Sequence, residues 1–328
     1  MHIQKVYFIR MLTISILVSQ SFLIRASFDE QWHYMQQEYN RVLHSLHNQN
    51  FDVLEPHYIH PYWQGSRSTI QNIILGSPKK NFLDDGQLGY DMIRRTMGVS
   101  QTYEICYLQH CISPKTQKMI GLFQESDYAQ LNIDCYQYNC SSNTLGHLFY
   151  AAKVLENRNN IPLKTIVEFG SGYGNLAHIF KTILPDTTLY LIDLPELLAI
   201  QLLFLRQSMP QAPIYFHDTI PVSYQENAIH LIPVHLIEQW TINTDLFIST
   251  FALSEAPELV QKIIIKNNFF NAHMVYITGQ IDGWSNLNFV PHALLMNAVK
   301  NYYQQCCCQP THLIFNERVS YEIIGTKH

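Results

Sequence analysis

The residues best suited to bind and process a small ligand gather around one glycine-rich turn. Glu168-Phe169-Gly170-Ser171-Gly172-Tyr173-Gly174 follows the apolar pair Ile166-Val167 and runs into Asn175 to Leu184, where Leu176, Ile179, Phe180 and Ile183 recur at helical spacing. Strand, glycine turn and helix make a cradle. The glycines let the backbone turn sharply and admit a ligand with no Cβ in the way, and the helix N-terminus offers free amides. The next strand ends on Asp193, a carboxylate placed to accept hydrogen bonds from both hydroxyls of a ribose. Asp193 also suits the N-cap of the helix opened by Pro195 and Glu196, and the two roles are compatible. Asp218, after a third strand, stands where an adenine amino group is commonly met, or serves a plain turn. The expected ligand therefore contains a nucleoside. The nicotinamide fingerprint places its third glycine one position later, which is here Asn175, so the spacing argues against a dinucleotide and an NAD-dependent oxidoreductase.

Catalytic groups are sought beyond the carboxyl ends of the strands, where an open α/β sheet forms its ligand crevice. The strand that closes on Thr250 is followed by Ser254 and Glu255; the strand that closes on Thr278 is followed by Gln280, Asp282 and Trp284, with His292 further on. A hydroxyl nucleophile needs a group to take its proton, and Glu255 and Asp282 are the carboxyl candidates. Glu255 equally suits the first turn of a helix beginning near Ser254, and Asp282, before Gly283, suits a turn.

These residues require an alternating α/β sheet to hold them. Short apolar runs bounded by helical patterns place strands at Thr165 to Phe169, Thr188 to Ile192, Ile214 to Phe216, Asp245 to Thr250 and His273 to Thr278. Thr311 to Phe315 and Tyr321 to Gly325 lie close enough for a terminal antiparallel hairpin. Seven strands ending in a hairpin predict a doubly wound, Rossmann-like α/β sheet over residues 161–328, preceded by a mainly helical cap over residues 28–160. A helix is expected from Asp29 to about Asn50, where Trp32, Met35, Tyr39, Val42, Leu43 and Leu46 share one face; further helices are expected at Gly86 to Met97 and Leu145 to Leu155. Phe51 to Ser77, rich in Pro, His, Tyr and Trp without a sustained period, reads as an irregular aromatic loop, and Asn157 to Pro162 as a linker.

Bulk composition narrows the partners. With 26 acidic against 21 basic residues the net charge is −5, and no Lys/Arg cluster is long enough to neutralise a row of phosphates, so nucleic acid is not the expected substrate. The 16 histidines make the balance pH-sensitive. Seven cysteines, three of them consecutive at Cys306 to Cys308, suit a reducing, cytoplasmic compartment better than a disulfide framework. The C-x4-C pairs Cys106/Cys111 and Cys135/Cys140 could be read as a four-thiolate site, but zinc spacings cluster at shorter gaps, and no metal is expected. Against cytoplasmic residence, Lys5 and Arg10 precede the apolar run Met11 to Ile24, and Ala26 follows, the order of a secretory signal. Arg25 and several polar residues weaken that reading; the run is short for a membrane span, and an amphipathic first helix or a later start at Met11 or Met35 fits as well. Export, or membrane contact through residues 5–24, stays open beside the cytoplasm.

Three blocks, Ile166 to Leu176, Tyr190-Leu191-Ile192-Asp193-Leu194-Pro195-Glu196-Leu197-Leu198 and Phe247-Ile248-Ser249-Thr250-Phe251-Ala252-Leu253-Ser254-Glu255, resemble the sugar O-methyltransferases of bacteria, within the class I S-adenosylmethionine-dependent superfamily. Gly86 to Thr96 and His147 to Lys153 are similar to that family's helical N-terminal region. The resemblance implies S-adenosylmethionine as cofactor, with Glu168, Gly170, Gly172, Gly174, Asp193, Asp218 and Thr250 around it. It implies a sugar or glycan hydroxyl as methyl acceptor and a loop at Glu255 that faces the methyl group. Under that reading Trp284 stacks on a sugar face or serves as a buried anchor, and Arg94 and Arg95 clamp an anionic substituent or form a solvated helix face. An exported binding protein that keeps the fold without catalysis is the non-enzymatic alternative.

Overall fold

Trp32, Met35, Tyr39, Val42 and Leu46 line one side of helix α1 (Phe28–Asn48) and are fully buried, so the three- and four-residue spacing is realised as an inward stripe. Ser27 caps it: its hydroxyl accepts from the Glu30 amide and the Glu30 carboxylate accepts from the Ser27 amide. The computed structural model describes residues 26–49, 58–59, 61–84, 102–127, 140–280, 292–303, 305–315 and 318–327. The segment before residue 26, the helix expected at Gly86 to Met97, and Arg94, Arg95, Asp282 and Trp284 lie outside the described residues. Among the described residues no helix is long and apolar enough to cross a membrane.

Within the stretch read as an irregular loop the structure forms a helix, α2 (Pro61–Leu75). Proline opens it without losing a needed amide, and Ile70, Ile73 and Ile74 bury; the aromatic and polar residues in its first half masked the period. Helices α3 (Thr102–His110), α4 (Pro114–Ile120) and α5 (Ser142–Asn157) complete the described N-terminal helices. The α5 amino end is held by Glu125, which accepts from the Ser141 amide (2.6 Å) and from the Ser141 and Thr144 hydroxyls.

The sheet has eight strands rather than seven. They are β1 (Thr165–Phe169), β2 (Thr188–Asp193), β3 (Ile214–Phe216), β4 (Ile229–Pro233), β5 (Leu246–Thr250), β6 (Met274–Gln280), β7 (Gln305–Phe315) and β8 (Arg318–Thr326). Helices α6 (Asn175–Ile183) and α7 (Pro195–Ser208) follow β1 and β2; α8 (Ala252–Glu255) and α9 (Glu258–Lys266) follow β5; α10 (His292–Tyr302) precedes the hairpin. The order is β3-β4-β2-β1-β5-β6-β8-β7, with β1 to β6 parallel and β8 antiparallel to both β6 and β7. This is the doubly wound, Rossmann-like sheet, with the hairpin where the sequence put it and one short strand, β4, inserted between β3 and β2. The strand missed from sequence, Ile229-His230-Leu231-Ile232-Pro233, is wholly buried and lies between β3 and β2. Its single histidine, His230 at the second position, broke an otherwise continuous apolar run. The chain crosses back from β4 to β5 beside β1, so the switch point falls between the carboxyl ends of β1 and β5. One apolar interior runs from Trp32 and Tyr39 through the β1, β2 and β5 residues to Ile323.

Candidate functional site

At the carboxyl end of β1 the backbone enters the left-handed region three times, at Gly170 (φ +76°), Gly172 (φ +58°) and Gly174 (φ +94°). Only glycine takes that conformation freely. Gly170 is also held by close approach: a Cβ there would lie 1.9 Å from the Ala252 Cβ, so the turn is seated directly against the corner that follows β5. Gly174 caps α6 without a side chain, and its amide bonds to the Ser171 carbonyl (2.8 Å). Behind the turn Asn175 is fully buried and tied to α5: its Nδ2 lies 2.9 Å from Thr144 Oγ1 and 3.1 Å from His147 Nδ1. Donation to that nitrogen requires it unprotonated, and burial, which drives the His147 pKa down to about 4, keeps it so. Ser171 Oγ and Asn175 Oδ1 remain buried with no hydrogen-bond partner.

Asp193 closes β2 beside this turn. Its carboxylate accepts from the Leu194 amide (2.8 Å) and from Gln201 Nε2 (3.0 Å), and the amides of Ser171 and Gly172 also bond to it. The cap of α7 is Leu194, with Pro195 in the first turn, so Asp193 itself is not the N-cap. Gln201 was not singled out from sequence; its Nε2 bonds both Asp193 and the Gly172 carbonyl (3.0 Å), bracing the second strand tip against the turn. A glutamine inside an otherwise apolar helix was the available signal that it is tied to something, though not to what. Glu168 is 3% exposed and Asp193 8%. Burial, then the neighbouring Asp193, pushes the Glu168 carboxyl up to about 8; burial pushes Asp193 up to about 7 against the hydrogen bonds that pull it down. Two buried carboxyl groups thus meet beside the glycine turn.

The β5 corner forms the opposite wall. Ser249 Oγ donates to the Phe169 carbonyl (3.0 Å) and accepts from the Leu253 amide (3.0 Å), and the Phe251 amide bonds to the Thr278 carbonyl (2.8 Å). These bonds knit the ends of β1, β5 and β6. Phe251 has φ +68°, a costly conformation for a residue with a Cβ, next to the Ala252 that touches Gly170. Glu255 ends the one-turn helix α8, within its first turn as the sequence also allowed, and is buried. Thr250 is half-buried and pairs in register with Thr278.

The structure therefore gathers Glu168, Gly170, Gly172, Gly174 and Asp193 around one turn and sets Thr250 and Glu255 on the adjoining corner. Asp218 is elsewhere. It follows the edge strand β3, and its carboxylate lies 2.8 Å from Arg41 Nη1 of α1; β4 takes the place beside β2, so Val234 and His235 follow the strand next to Asp193.

No family model matches the chain, and no curated protein matches it in sequence. Solved structures similar to it include the magnesium protoporphyrin IX methyltransferase of Synechocystis PCC 6803 with bound S-adenosylhomocysteine, at 11% identity and a TM-score of 0.42, covering 69% of this chain and 99% of that one. A bacterial Hen1 methyltransferase domain is similar at 12% identity and 0.38, covering 53% and 95%. The precorrin-6y C5,15-methyltransferase of Geobacter metallireducens GS-15 is similar at 8% and 0.34, covering 63% and 94%.

Proposed function

We propose that the chain is an S-adenosylmethionine-dependent O-methyltransferase acting on a sugar or glycan hydroxyl. The observation that carries the cofactor assignment is the pair of buried carboxyls, Glu168 and Asp193, at a glycine turn backed by unpartnered Ser171 Oγ and Asn175 Oδ1. A ligand with ribose hydroxyls and an ammonium group suits that pair, since each would favour the ionised carboxylates. A pyrophosphate does not, because it would set two further negative charges against two buried acids. Asn175, committed to Thr144 and His147, likewise stands where a dinucleotide fold needs its third glycine. Glu168, Asp193 and the Ser171 hydroxyl would hold the cofactor, and Thr250 would line its edge.

When bound, S-adenosylmethionine supplies an electrophilic methyl group whose loss neutralises a sulfonium. The chain must then align an acceptor oxygen, exclude water and take a proton. Glu255 is the carboxylate assigned to accept that proton, from a corner fixed by Ser249, Phe251 and Ala252. Asp282 is kept as the alternative base. The sugar assignment rests on the resemblance of the three sequence blocks.

Isothermal titration with S-adenosylhomocysteine is expected to give a binding heat that NAD does not give, and Gly172→Arg is expected to abolish it. Absence of that heat in the folded wild-type chain would sink the methyltransferase reading. Glu255→Gln is expected to spare binding and lower methyl transfer by about 10²–10⁴-fold; binding without any turnover in the wild type would favour the non-catalytic alternative.

A further inference from the structure

We propose that a buried polar seam on one face of β6 and β8 is the subsite for an uncharged, polyhydroxylated acceptor, with Gln280 as its anchor; this deepens the proposed function and rests on it. Residues directly opposite in an antiparallel pair share a face, and the register sets Gln280 against Ser320 and Thr278 against Glu322, with Tyr276 two residues along. Helices α3 and α5 cover that face. Lys153 Nζ of α5 lies 3.3 Å from Glu322 Oε2, the Tyr150 ring packs 6.1 Å from the Tyr276 ring, and Glu104 of α3 acts electrostatically on Tyr150.

All six seam residues are at least nine-tenths buried: Glu104, Tyr276, Thr278, Gln280, Ser320 and Glu322. Both amide atoms of Gln280, the hydroxyls of Thr278, Ser320 and Tyr276, Glu104 Oε2 and Glu322 Oε1 have no hydrogen-bond partner. Leaving a buried polar group without a partner is costly, so several in one seam mark a surface kept for something other than stability. Gln280 ends β6 at the crevice side of the sheet, and Thr278 is in register with Thr250 at the corner that carries Glu255. An amide and two hydroxyls each donate and accept, as neighbouring hydroxyls on a sugar ring do, and the tyrosine rings offer an apolar flank. Two carboxyl groups against one lysine disfavour a phosphate or carboxylate there.

The test is saturation-transfer NMR on the full chain with S-adenosylhomocysteine present, using D-glucose, D-galactose, D-mannose and L-fucose as probes and glucose 6-phosphate as the anionic comparison. At least one free hexose is expected to receive saturation and the phosphate ester to receive none. Gln280→Leu and Thr278→Val are expected to abolish the signal while leaving the S-adenosylhomocysteine heat intact and the melting temperature unchanged or raised, because an apolar replacement removes an unmet hydrogen-bonding group. A hexose signal unchanged in Gln280→Leu overturns the proposal, as does loss of signal accompanied by a large fall in melting temperature in both variants. No hexose signal with the S-adenosylhomocysteine heat intact overturns the seam alone; a missing heat overturns the cofactor reading instead.

Discussion

At the scale of single residues, Glu168 and Asp193 give the site its pH behaviour. Without a ligand, burial and then the neighbouring Asp193 push Glu168 up to about 8, and burial pushes Asp193 up to about 7. Near neutrality the pair therefore retains bound proton. A ligand that brings an ammonium group and ribose donors favours the ionised forms, so binding must expel protons, and by linkage affinity must rise as pH climbs through 7 towards 8. Titration of S-adenosylhomocysteine at pH 7.5 in buffers of different ionisation enthalpy is expected to give heats that change with the buffer, and Asp193→Asn is expected to diminish that dependence. Heats identical across buffers would remove these carboxyls from the cofactor's surroundings. The role of Asp193 as a strand-tip acid was legible from its position alone. Its tie to Gln201 was not, because a glutamine in an apolar helix carries no local pattern that names its partner.

Among elements, legibility followed how cleanly a segment repeats its period. Helix α1, β1, β2, β5, β6 and the β7–β8 hairpin were readable because their apolar positions recur without interruption. Helix α2 and β4 were missed: one begins with aromatic and polar residues, the other is five residues long with His230 at its second position. That omission displaced Asp218, since counting β3 as the strand beside β2 moved its following residue to the crevice. The ties between elements are less legible still. Glu196, fully buried on α7, accepts from Arg67 Nη2 (2.6 Å) and Gln71 Nε2 (2.9 Å) of α2 and from the Tyr39 hydroxyl (3.0 Å) of α1, joining three helices through one carboxylate. Removing one partner of a buried pair strands the other's charge, which typically costs about 3–5 kcal/mol. Arg67→Met is expected to lower the denaturant midpoint accordingly, and the double variant Arg67→Met with Glu196→Gln to recover most of the loss. A midpoint unmoved by Arg67→Met would show that the pair does not bind α2 to α7.

For the molecule as a whole, two sets of buried groups set opposite pH limits on the unliganded fold. His147, His178, His217 and His235 are held down to about 4 by burial. Between about 4 and the ordinary histidine value near 6.5 the unfolded chain binds more protons than the folded one, so these residues make stability fall as pH drops through that window. Glu168 and Asp193 act in the other sense. Their folded pKa values are raised, the folded chain holds the extra protons, and stability falls as pH rises from the ordinary carboxylate range through about 7 and about 8. Below about 6.5 the two sets oppose one another, whereas above it the histidine contribution is already complete and only the carboxyl penalty keeps growing. The melting temperature is therefore expected to decline between pH 6.5 and 8.5. That alkaline decline belongs to the empty crevice, because a ligand that stabilises the ionised carboxyls removes the penalty at its source and binds more tightly as it does so. Saturating S-adenosylhomocysteine should flatten the profile, raising the melting temperature more at pH 8.5 than at pH 6.5. A profile that rises across this window, or a decline of equal slope with and without the ligand, would mean that the two buried carboxyls do not lie where the cofactor binds.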